Sequence, residues 1–326
     1  MGWAYQVTLV LCMALMITGC MGRGVEPQTA GARRQALLAA DVSAEQLVRA
    51  LRDDNVMVRR TAARLLGRHG SSEALLLTLA DEDLLVRRTG LSALIAAGGE
   101  TALAAVERAL TDSSSLVRLL AVEHLASSRP HSARVTELLA IACADGDDKV
   151  RQIATRATWP FFRLAPSVRD GGTDLDITAA ETIRLPKEDW HFQLDPLRQG
   201  HRQGWFDPAF DDHDWAAIAI EQVWQEAGYQ YTGVAWYRRS FDLPEEPANF
   251  AVDISFGGVD ESAWLWINGV YAGDHDIGPS GWNVPFRRDV SSLLHWGRTN
   301  HIAVRAMNTA HGGGIWKPIE IEVLQR

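Results

Sequence analysis

Residues 250–269 read FAVDISFGGVDESAWLWING, and this stretch decides the fold of the C-terminal half of the chain. Apolar and polar residues alternate from Phe250 to Phe256, and an apolar run extends from Ala263 to Ile267. Asn268-Gly269 follows directly and favours the tight turn of a β-hairpin, because both residues tolerate positive φ. Two later runs of the same kind are His301 to Ala306 and Ile319 to Leu324. Short strands at this spacing predict an antiparallel β-sandwich.

Aromatic residues mark where this half begins. Between Gln6 and Thr158 the chain has no Phe, Tyr or Trp, whereas 24 of them follow from Trp159 onward. Many large rings together with Gly and Pro are typical of β structure, while Leu, Val, Ile and Ala alone are typical of close helix packing. The sequence therefore predicts a multidomain α and β protein, with a helical domain before the sandwich and a boundary near residue 160.

The helical half contains an internal repeat. A Val-Arg pair recurs with spacings of 28, 31 and 33 residues, and an acidic turn precedes each pair. The pairs are Val58-Arg59, Val86-Arg87, Val117-Arg118 and Val150-Arg151, and the acidic residues are Asp53, Asp81, Asp112 and Asp145. We expect each aspartate to cap a helix and each valine to enter the core. The basic doublets Arg59-Arg60 and Arg87-Arg88 favour bridges to the aspartate of the neighbouring repeat, with a binding stripe as the alternative.

This pattern resembles the short HEAT repeats of phycobilisome-lyase-type proteins and covers residues 41–158. The resemblance implies an N-terminal α-α HEAT-repeat solenoid of about four repeats. Such solenoids act as spacers or dock a protein partner on their concave face, so the fold alone does not choose between these roles.

The N-terminus has the features of an export signal. Residues 7–18 form an apolar run of 12, shorter than the roughly 20 residues that a membrane-spanning helix needs. Ile17-Thr18-Gly19-Cys20 resembles the bacterial lipobox, which implies cleavage before Cys20 and acylation of its thiol. We predict a signal peptide over 1–19, a tether over 20–40 and a lipid anchor in the bacterial cell envelope, at the outer membrane if the cell is Gram-negative. The leader has no Lys or Arg, so an ordinary exported or membrane-anchored N-terminus is the alternative.

A series of motifs in the C-terminal half gives a second resemblance. In chain order they include Trp190-His191-Phe192, Gly204-Trp205, Asp211-Asp212-His213-Asp214-Trp215, Trp236-Tyr237-Arg238-Arg239, Phe256-Gly257-Gly258-Val259-Asp260-Glu261, Trp266-Ile267-Asn268-Gly269 and Gly313-Gly314-Ile315-Trp316-Lys317-Pro318. They resemble the N-terminal sugar-binding domain of glycoside hydrolase family 2, over residues 186–326, with a linker over 159–185. In β-galactosidases and β-glucuronidases this domain is a galactose-binding-like jelly roll ahead of an immunoglobulin-like domain and a catalytic barrel. The resemblance implies a carbohydrate ligand.

The same resemblance places the catalytic residues elsewhere. The family's two catalytic glutamates lie on the barrel, the first within an Asn-Glu pair, and these 326 residues contain no such pair. Retaining hydrolysis needs two carboxyls about 5 Å apart, whereas Asp260 and Glu261 are adjacent on a strand end and are expected to point to opposite faces. No His/Cys spacing suggests zinc, and no phosphate loop is present. We therefore expect no catalytic residue, cofactor or metal.

Loop aromatics supply the candidate sugar site, because sugar recognition stacks a flat ring on a pyranose and binds its hydroxyls with amides and carboxylates. Trp282 lies at a Gly/Pro turn with Asn283 beside it and Asp274 and His275 upstream, in what the sequence presents as an irregular turn. A ring buried under this loop is the alternative. A second candidate patch is Tyr229 and Tyr231. The rings expected in the core are Trp236, Trp264 and Trp266, with Trp316 as a packing anchor.

Charge excludes one class of partner. The chain has a formal net charge of -9, and residues 161–326 carry 14 basic and 24 acidic side chains. A nucleic-acid binder needs a clustered basic face, so nucleic acid is not expected. The sequence favours a membrane-anchored, non-catalytic carbohydrate-binding protein. The alternatives are an interaction scaffold whose jelly roll has no sugar site, and part of a family 2 enzyme completed by another chain.

Overall fold

The computed structural model describes residues 29–39, 41–164, 166–167, 169, 177–248 and 251–326. These residues form helices followed by antiparallel sheets, in agreement with the predicted α and β class. The chain divides into two compact units, Met1–Ser128 and Arg129–Arg326, here called the helical unit and the sandwich unit. Cys20 lies outside the described residues. Within them, no helix is long and apolar enough to cross a membrane.

The helical unit is built from helices joined by short acidic turns. Its helices are α1 (Ala30–Leu37), α2 (Ala44–Ala50), α3 (Val56–Arg68), α4 (Ser72–Leu76, continued by a 3-10 turn over Leu77–Ala80), α5 (Leu84–Ala97), α6 (Gly99–Ala109) and α7 (Ser115–Ser127). Helix α3 packs on α5, α5 packs on α7, and the shorter helices between them pack on both neighbours. A helical repeat array requires this packing of each unit on the next.

In the first two Val-Arg pairs the valine packs in the core, and the arginine contacts the next acidic turn. Val58 and Val86 are fully buried, whereas Arg59 forms an ion pair with Asp81 at 2.8 Å and Arg87 forms one with Asp112 at 2.8 Å. The expected bridges between neighbouring repeats are therefore confirmed. In these two repeats the Val-Arg pair therefore supplies one buried apolar contact and one ion pair with the next acidic turn.

The prediction that the repeated aspartates cap the helices is wrong, because the N-cap lies two residues further along the chain. Asp53, Asp81, Asp112 and Asp145 each accept a hydrogen bond from the backbone N–H two residues later, at 2.7–2.9 Å. That later residue is the N-cap, immediately before the helix, and in three repeats its own side chain caps the helix N-terminus. These three caps are Asn55, Asp83 and Asp147. The four aspartates instead stabilise the acidic turn, and Asp81 and Asp112 also form ion pairs with the arginine of the preceding repeat.

The last two helices belong to the same compact unit as the sheets. They are α8 (Ala133–Ala142) and α9 (Asp148–Ala157). Arg198, in a loop of the sandwich, is buried and donates to both carboxylate oxygens of Asp148 at 2.8 and 2.9 Å. Gln199 donates to the carbonyl of Cys143 at 2.8 Å. The last helix ends at Ala157 and the first strand begins at Thr178, whereas the two compact units divide between Ser128 and Arg129 and not at the predicted boundary near residue 160.

The sheets of the sandwich unit form two layers. The strands are β1 (Thr178–Arg184), β2 (Trp190–Leu194), β3 (Ala216–Ile218), β4 (Gly233–Asp242), β5 (Ala251–Phe256), β6 (Val259–Asp260), β7 (Ser262–Ile267), β8 (Val270–Asp276), β9 (Phe286–Asp289), β10 (Thr299–Asn308), β11 (Gly314–Ile315) and β12 (Ile319–Gln325). One sheet has the order β1-β12-β5-β9, the other β3-β2-β4-β10-β7-β8, and β6 pairs with β11. All these pairings are antiparallel.

The predicted hairpin is confirmed at the β7–β8 turn. Asn268 and Gly269 have φ of 51° and 79°, the positive values that this two-residue turn requires. The Asn268 side chain also donates to the carbonyl of Leu293 and accepts from the backbone of His301, both at 2.8 Å. Asn268 therefore also connects the β7–β8 turn by hydrogen bonds to two neighbouring segments of the sandwich.

A second core covers the outer face of the six-stranded sheet. Trp236, Trp264 and Trp266 are buried as expected, but they alternate with the residues that fill the space between the sheets. Their rings pack under Trp159 and Phe161, which come from the segment predicted as a linker, and under a loop that follows β2. That segment is therefore partly structural. Its aromatic side chains shield a sheet face that would otherwise expose Trp rings to water.

Candidate functional site

Trp282 is an exposed ring at the end of the sandwich unit. It follows the 3-10 turn Gly278–Gly281, and 53% of its surface is exposed, so the ring is not buried under its loop. It stacks on Trp316 with a centroid distance of 5.6 Å and an interplanar angle of 19°. The Trp316 Nε1 donates to the carbonyl of Trp282 at 2.7 Å. The two rings form a stacked apolar pair, here called the platform, which is held at its base by this hydrogen bond and whose exposed ring is Trp282.

A glycine brings the platform close to the strand ends. A side chain at Gly281 would place its Cβ 2.2 Å from the carbonyl oxygen of Glu261, so only glycine allows this approach. The result is a cavity of about 450 Å³ in front of the platform, here called the Trp282 cleft. It is lined by Val223, Asp260, Glu261, Pro279, Trp282, Ala310, His311, Gly312 and Trp316. An apolar wall faces two carboxyls and an imidazole, as in many small-molecule sites.

The carboxyl groups of Asp260 and Glu261 provide the hydrogen-bonding groups of the cleft. Burial raises the pKa of Asp260 to about 6, and the neighbouring Glu261 carboxylate adds to the rise. Glu261 is buried, its Oε1 accepts from the Thr309 hydroxyl at 2.9 Å, and its Oε2 has no partner among the described residues. Near pH 6 the Asp260 carboxyl can therefore donate as well as accept, while Glu261 has an acceptor to offer.

The expectation that Asp260 and Glu261 point to opposite faces is wrong. Both line the Trp282 cleft. Glu261 has a φ of 43°, in the left-handed region, so the alternation of a regular strand ends at this residue. A local backbone change thus brings two adjacent carboxyls to one site, and simple alternation does not reveal it.

Asn283 lies beside the platform but has a partner. Its Oδ1 accepts a hydrogen bond from the Lys317 ammonium at 2.6 Å, and the same ammonium lies 4.4 Å from the centroid of the Trp316 ring. The residue therefore ties the two loops of the platform together. Its amide group remains at the rim of the cleft rather than in its lining.

Asp274 and His275 are not brought to the Trp282 cleft. They belong to strand β8 and not to an irregular turn, so their side chains point to opposite faces of the sheet. Asp274 accepts from the Tyr271 hydroxyl at 2.6 Å. His275 is buried and stacks on Phe286 at 4.5 Å and 7°, and this burial lowers its pKa. Their predicted grouping with Trp282 therefore fails.

The second candidate patch also has a packing role. Tyr229 packs on Phe192 with ring centroids 4.8 Å apart. The Tyr231 hydroxyl accepts from the backbone N–H of Val234 at 3.1 Å, and burial raises the pKa of this phenol. Both rings lie against the core between the sheets and neither lines the Trp282 cleft.

Asp260, Glu261, His311 and Trp316 are the cleft residues that were absent from the predicted site. The pairing of β6 with β11 brings them together, since Gly314 is opposite Asp260. The glycine run 312–314 and the Asp-Glu pair were visible in the sequence, yet nothing local indicates that the two segments pair. In the part of the chain that the structure describes, no group of three or more His, Cys, Asp or Glu is arranged to hold a metal ion.

Comparison with known proteins agrees with the sandwich assignment. A family model described as the second all-beta domain of beta-galactosidase matches residues 200–312. The beta-galactosidase BoGH2A of Bacteroides ovatus is 30% identical over 39% of this chain and 16% of its own length. A beta-glucuronidase of Formosa agariphila is 37% identical over 24% of this chain and 8% of its own length. These sequence similarities support a β-sandwich of the glycoside hydrolase family 2 type.

Solved structures give a weaker likeness. A b-glucuronidase from Ruminococcus gnavus is 19% identical, covers 44% of this chain and 29% of its own chain, and has a TM-score of 0.39. The chain thus spans only a small share of the length of the relatives it matches.

Proposed function

We propose that this protein binds carbohydrate through the Trp282 cleft without hydrolysing it. The observation that carries the proposal is the exposed Trp282–Trp316 platform facing the two carboxyls of Asp260 and Glu261. The apolar face of a pyranose would stack on the platform, and its hydroxyl groups would hydrogen-bond to the carboxyls. The similarity to beta-galactosidase supports this ligand class.

A role as part of a larger family 2 hydrolase is the enzymatic alternative. Hydrolysis would then require carboxyls from a catalytic domain outside these 326 residues. In that case the Trp282 cleft would hold a sugar unit beside the scissile bond. Purified protein alone is expected to release no aryl group from aryl glycosides under either interpretation.

We further propose that the helical unit is a HEAT-type solenoid and that Cys20 carries a lipid anchor. The regular Arg-to-Asp bridges between successive repeats support the first point, and the lipobox-like segment before Cys20 supports the second. Two or more acyl chains, at about 0.8 kcal/mol per buried methylene, would hold the protein in the cell envelope. The Cys20→Ala variant is therefore expected to leave the membrane fraction, whereas unchanged fractionation would contradict the anchor.

An interaction scaffold is the second candidate function, favoured by one surface of the helical unit. A groove of about 510 Å³ lies between α3 and α5 and is lined by Arg60, Arg64, Arg68 and Arg88. Within the described residues none of these four arginines has an ion pair, unlike Arg59 and Arg87. Such a groove suits an acidic segment of a protein partner.

The two candidate functions separate in one binding experiment on the full chain. A glycan array with the wild-type protein identifies a ligand, and titration calorimetry then compares variants. The Trp282→Ala variant is expected to lose about 1–3 kcal/mol of binding free energy, because the stacking surface is removed. Its melting temperature is expected to change little, since the ring is 53% exposed.

Leu164→Ala is the control. Leu164 is another exposed apolar residue of the sandwich unit, and it does not line the Trp282 cleft. The variant should leave glycan binding unchanged. If the wild-type protein retains no glycan, or if Trp282→Ala binds as tightly as the wild type, the carbohydrate site is refuted. The interaction scaffold then becomes the better explanation.

A further inference from the structure

Arg305 is a buried guanidinium without a hydrogen-bonded counter-charge. The residue lies on β10, is 3% exposed and forms no hydrogen bond or ion pair within the described part of the chain. Its guanidinium carbon lies 4.2 Å from the centroid of the Trp264 ring and 5.3 Å from that of Trp159. Burial lowers the pKa of Arg305 to about 10, so the group still carries its charge at neutral pH.

A second cavity opens onto this guanidinium. It measures about 250 Å³ and lies on the outer face of the six-stranded sheet, away from the Trp282 cleft. Trp159 and Trp264 form its apolar wall, and Phe162 stands at its mouth with 89% of its surface exposed. The cavity, here called the Arg305 pocket, therefore combines an apolar surface with one unsatisfied charged donor.

The other charged groups of the Arg305 pocket already have partners. Asp276 binds Arg156 through one oxygen and the Ser262 hydroxyl through the other, both at 3.0 Å. Arg198 is held by the carboxylate of Asp148. Asp274, which also lines the pocket, accepts from the Tyr271 hydroxyl.

A buried charge without a hydrogen-bonded partner raises the free energy of the folded protein. A ligand that supplies an acceptor to the Arg305 guanidinium would therefore bind favourably in this pocket. An Arg guanidinium pairs best with a planar carboxylate, which accepts two of its N–H groups. The ring-lined wall then suits a ligand whose remaining surface is flat and apolar.

We propose that the Arg305 pocket binds a small monocarboxylate with an apolar face, either a uronic acid or an aromatic acid. This site is separate from the carbohydrate site proposed at the Trp282 cleft and does not depend on it. A ligand in this pocket would also account for the exposed Phe162 at its mouth, because the Phe162 ring would cover the bound ring.

Matched ligand pairs test the carboxylate directly, with the full chain and titration calorimetry. D-glucuronate and D-glucose differ in one carboxylate, as do benzoate and benzyl alcohol. At least one acid is expected to bind ten times or more tightly than its neutral partner, and the pair that binds identifies the ligand source. Equal affinity within both pairs, or no binding of either acid, overturns the proposal.

Variants locate the binding site. Phe162→Ala is expected to weaken binding of the acid at least threefold, whereas Leu164→Ala, at another exposed apolar residue that does not line the pocket, should not. If Arg305→Gln folds, it should weaken binding of the acid at least tenfold. If this variant does not fold, the Phe162→Ala result alone tests the location of the site. Unchanged binding of the acid by Phe162→Ala, or its loss in Leu164→Ala, would place the acid elsewhere and overturn the assignment.

Discussion

The Arg59→Ala variant is expected to lower the free energy of unfolding of the helical unit by about 3–5 kcal/mol. Arg59 donates to both carboxylate oxygens of Asp81, at 2.8 and 3.0 Å, and the exposed fractions of the two side chains are only 8% and 10%. It also donates to the carbonyl of Asp53 at 3.1 Å. Removing the guanidinium leaves the buried Asp81 carboxylate with only the backbone N–H of Asp83 as a donor among the described residues, and it removes the guanidinium donor of the Asp53 carbonyl. Urea unfolding followed by far-ultraviolet circular dichroism measures the loss.

Arg60→Ala is the matched control, one residue further along the same helix. Arg60 lines the open groove and has no ion pair within the described residues, so its removal should change the unfolding free energy by less than about 0.5 kcal/mol. Arg59→Lys keeps the charge but not the forked donor geometry, and we expect an intermediate loss. Equal losses for Arg59→Ala and Arg60→Ala would show that the bridges between repeats do not stabilise the array.

The Trp236→Ala variant is expected to cost about 3–5 kcal/mol in the sandwich unit. The ring is fully buried in the outer core and stacks on Trp266 with centroids 5.1 Å apart. Its Nε1 donates at 3.0 Å to the carboxylate of Asp195, which is itself buried. The variant therefore creates a cavity and also removes a hydrogen bond from a buried charge. Thermal unfolding of the full chain reports the change.

Two further variants separate these contributions. Trp236→Phe keeps most of the ring and loses only the N–H group, and Asp195 still accepts from the backbone of Gln199 and Gly200. We expect it to cost about 1–2 kcal/mol. Trp282→Ala removes a Trp of the same size from an exposed position and should leave the melting temperature nearly unchanged. If Trp236→Ala is as mild as Trp282→Ala, the outer aromatic layer is not a core.

Features that depend on neighbours along the chain could be predicted from the sequence alone. The β7–β8 hairpin follows from Asn268-Gly269, because two adjacent residues supply the positive φ values. The helical array follows from the recurring Val-Arg pair, since the valine of each pair is buried and the arginines Arg59 and Arg87 bridge to the next acidic turn. Trp282 could be predicted as an exposed ring because it directly follows the Gly/Pro turn Gly278–Gly281, and side chains at such turns tend to face solvent.

The partners of Trp282 were decided by tertiary structure. Trp316 lies 34 residues away and meets Trp282 only because β6 pairs with β11. Glu261 enters the cleft because its backbone has a φ of 43°. Asp274 and His275 were separated because they continue a strand, whose alternation sends adjacent side chains to opposite faces. The sequence alone determined the local elements and the exposed Trp282 ring of the candidate site. Asp260 and Trp316 meet there through the long-range pairing of β6 with β11, which no neighbouring residue specifies, and Glu261 through its own backbone conformation.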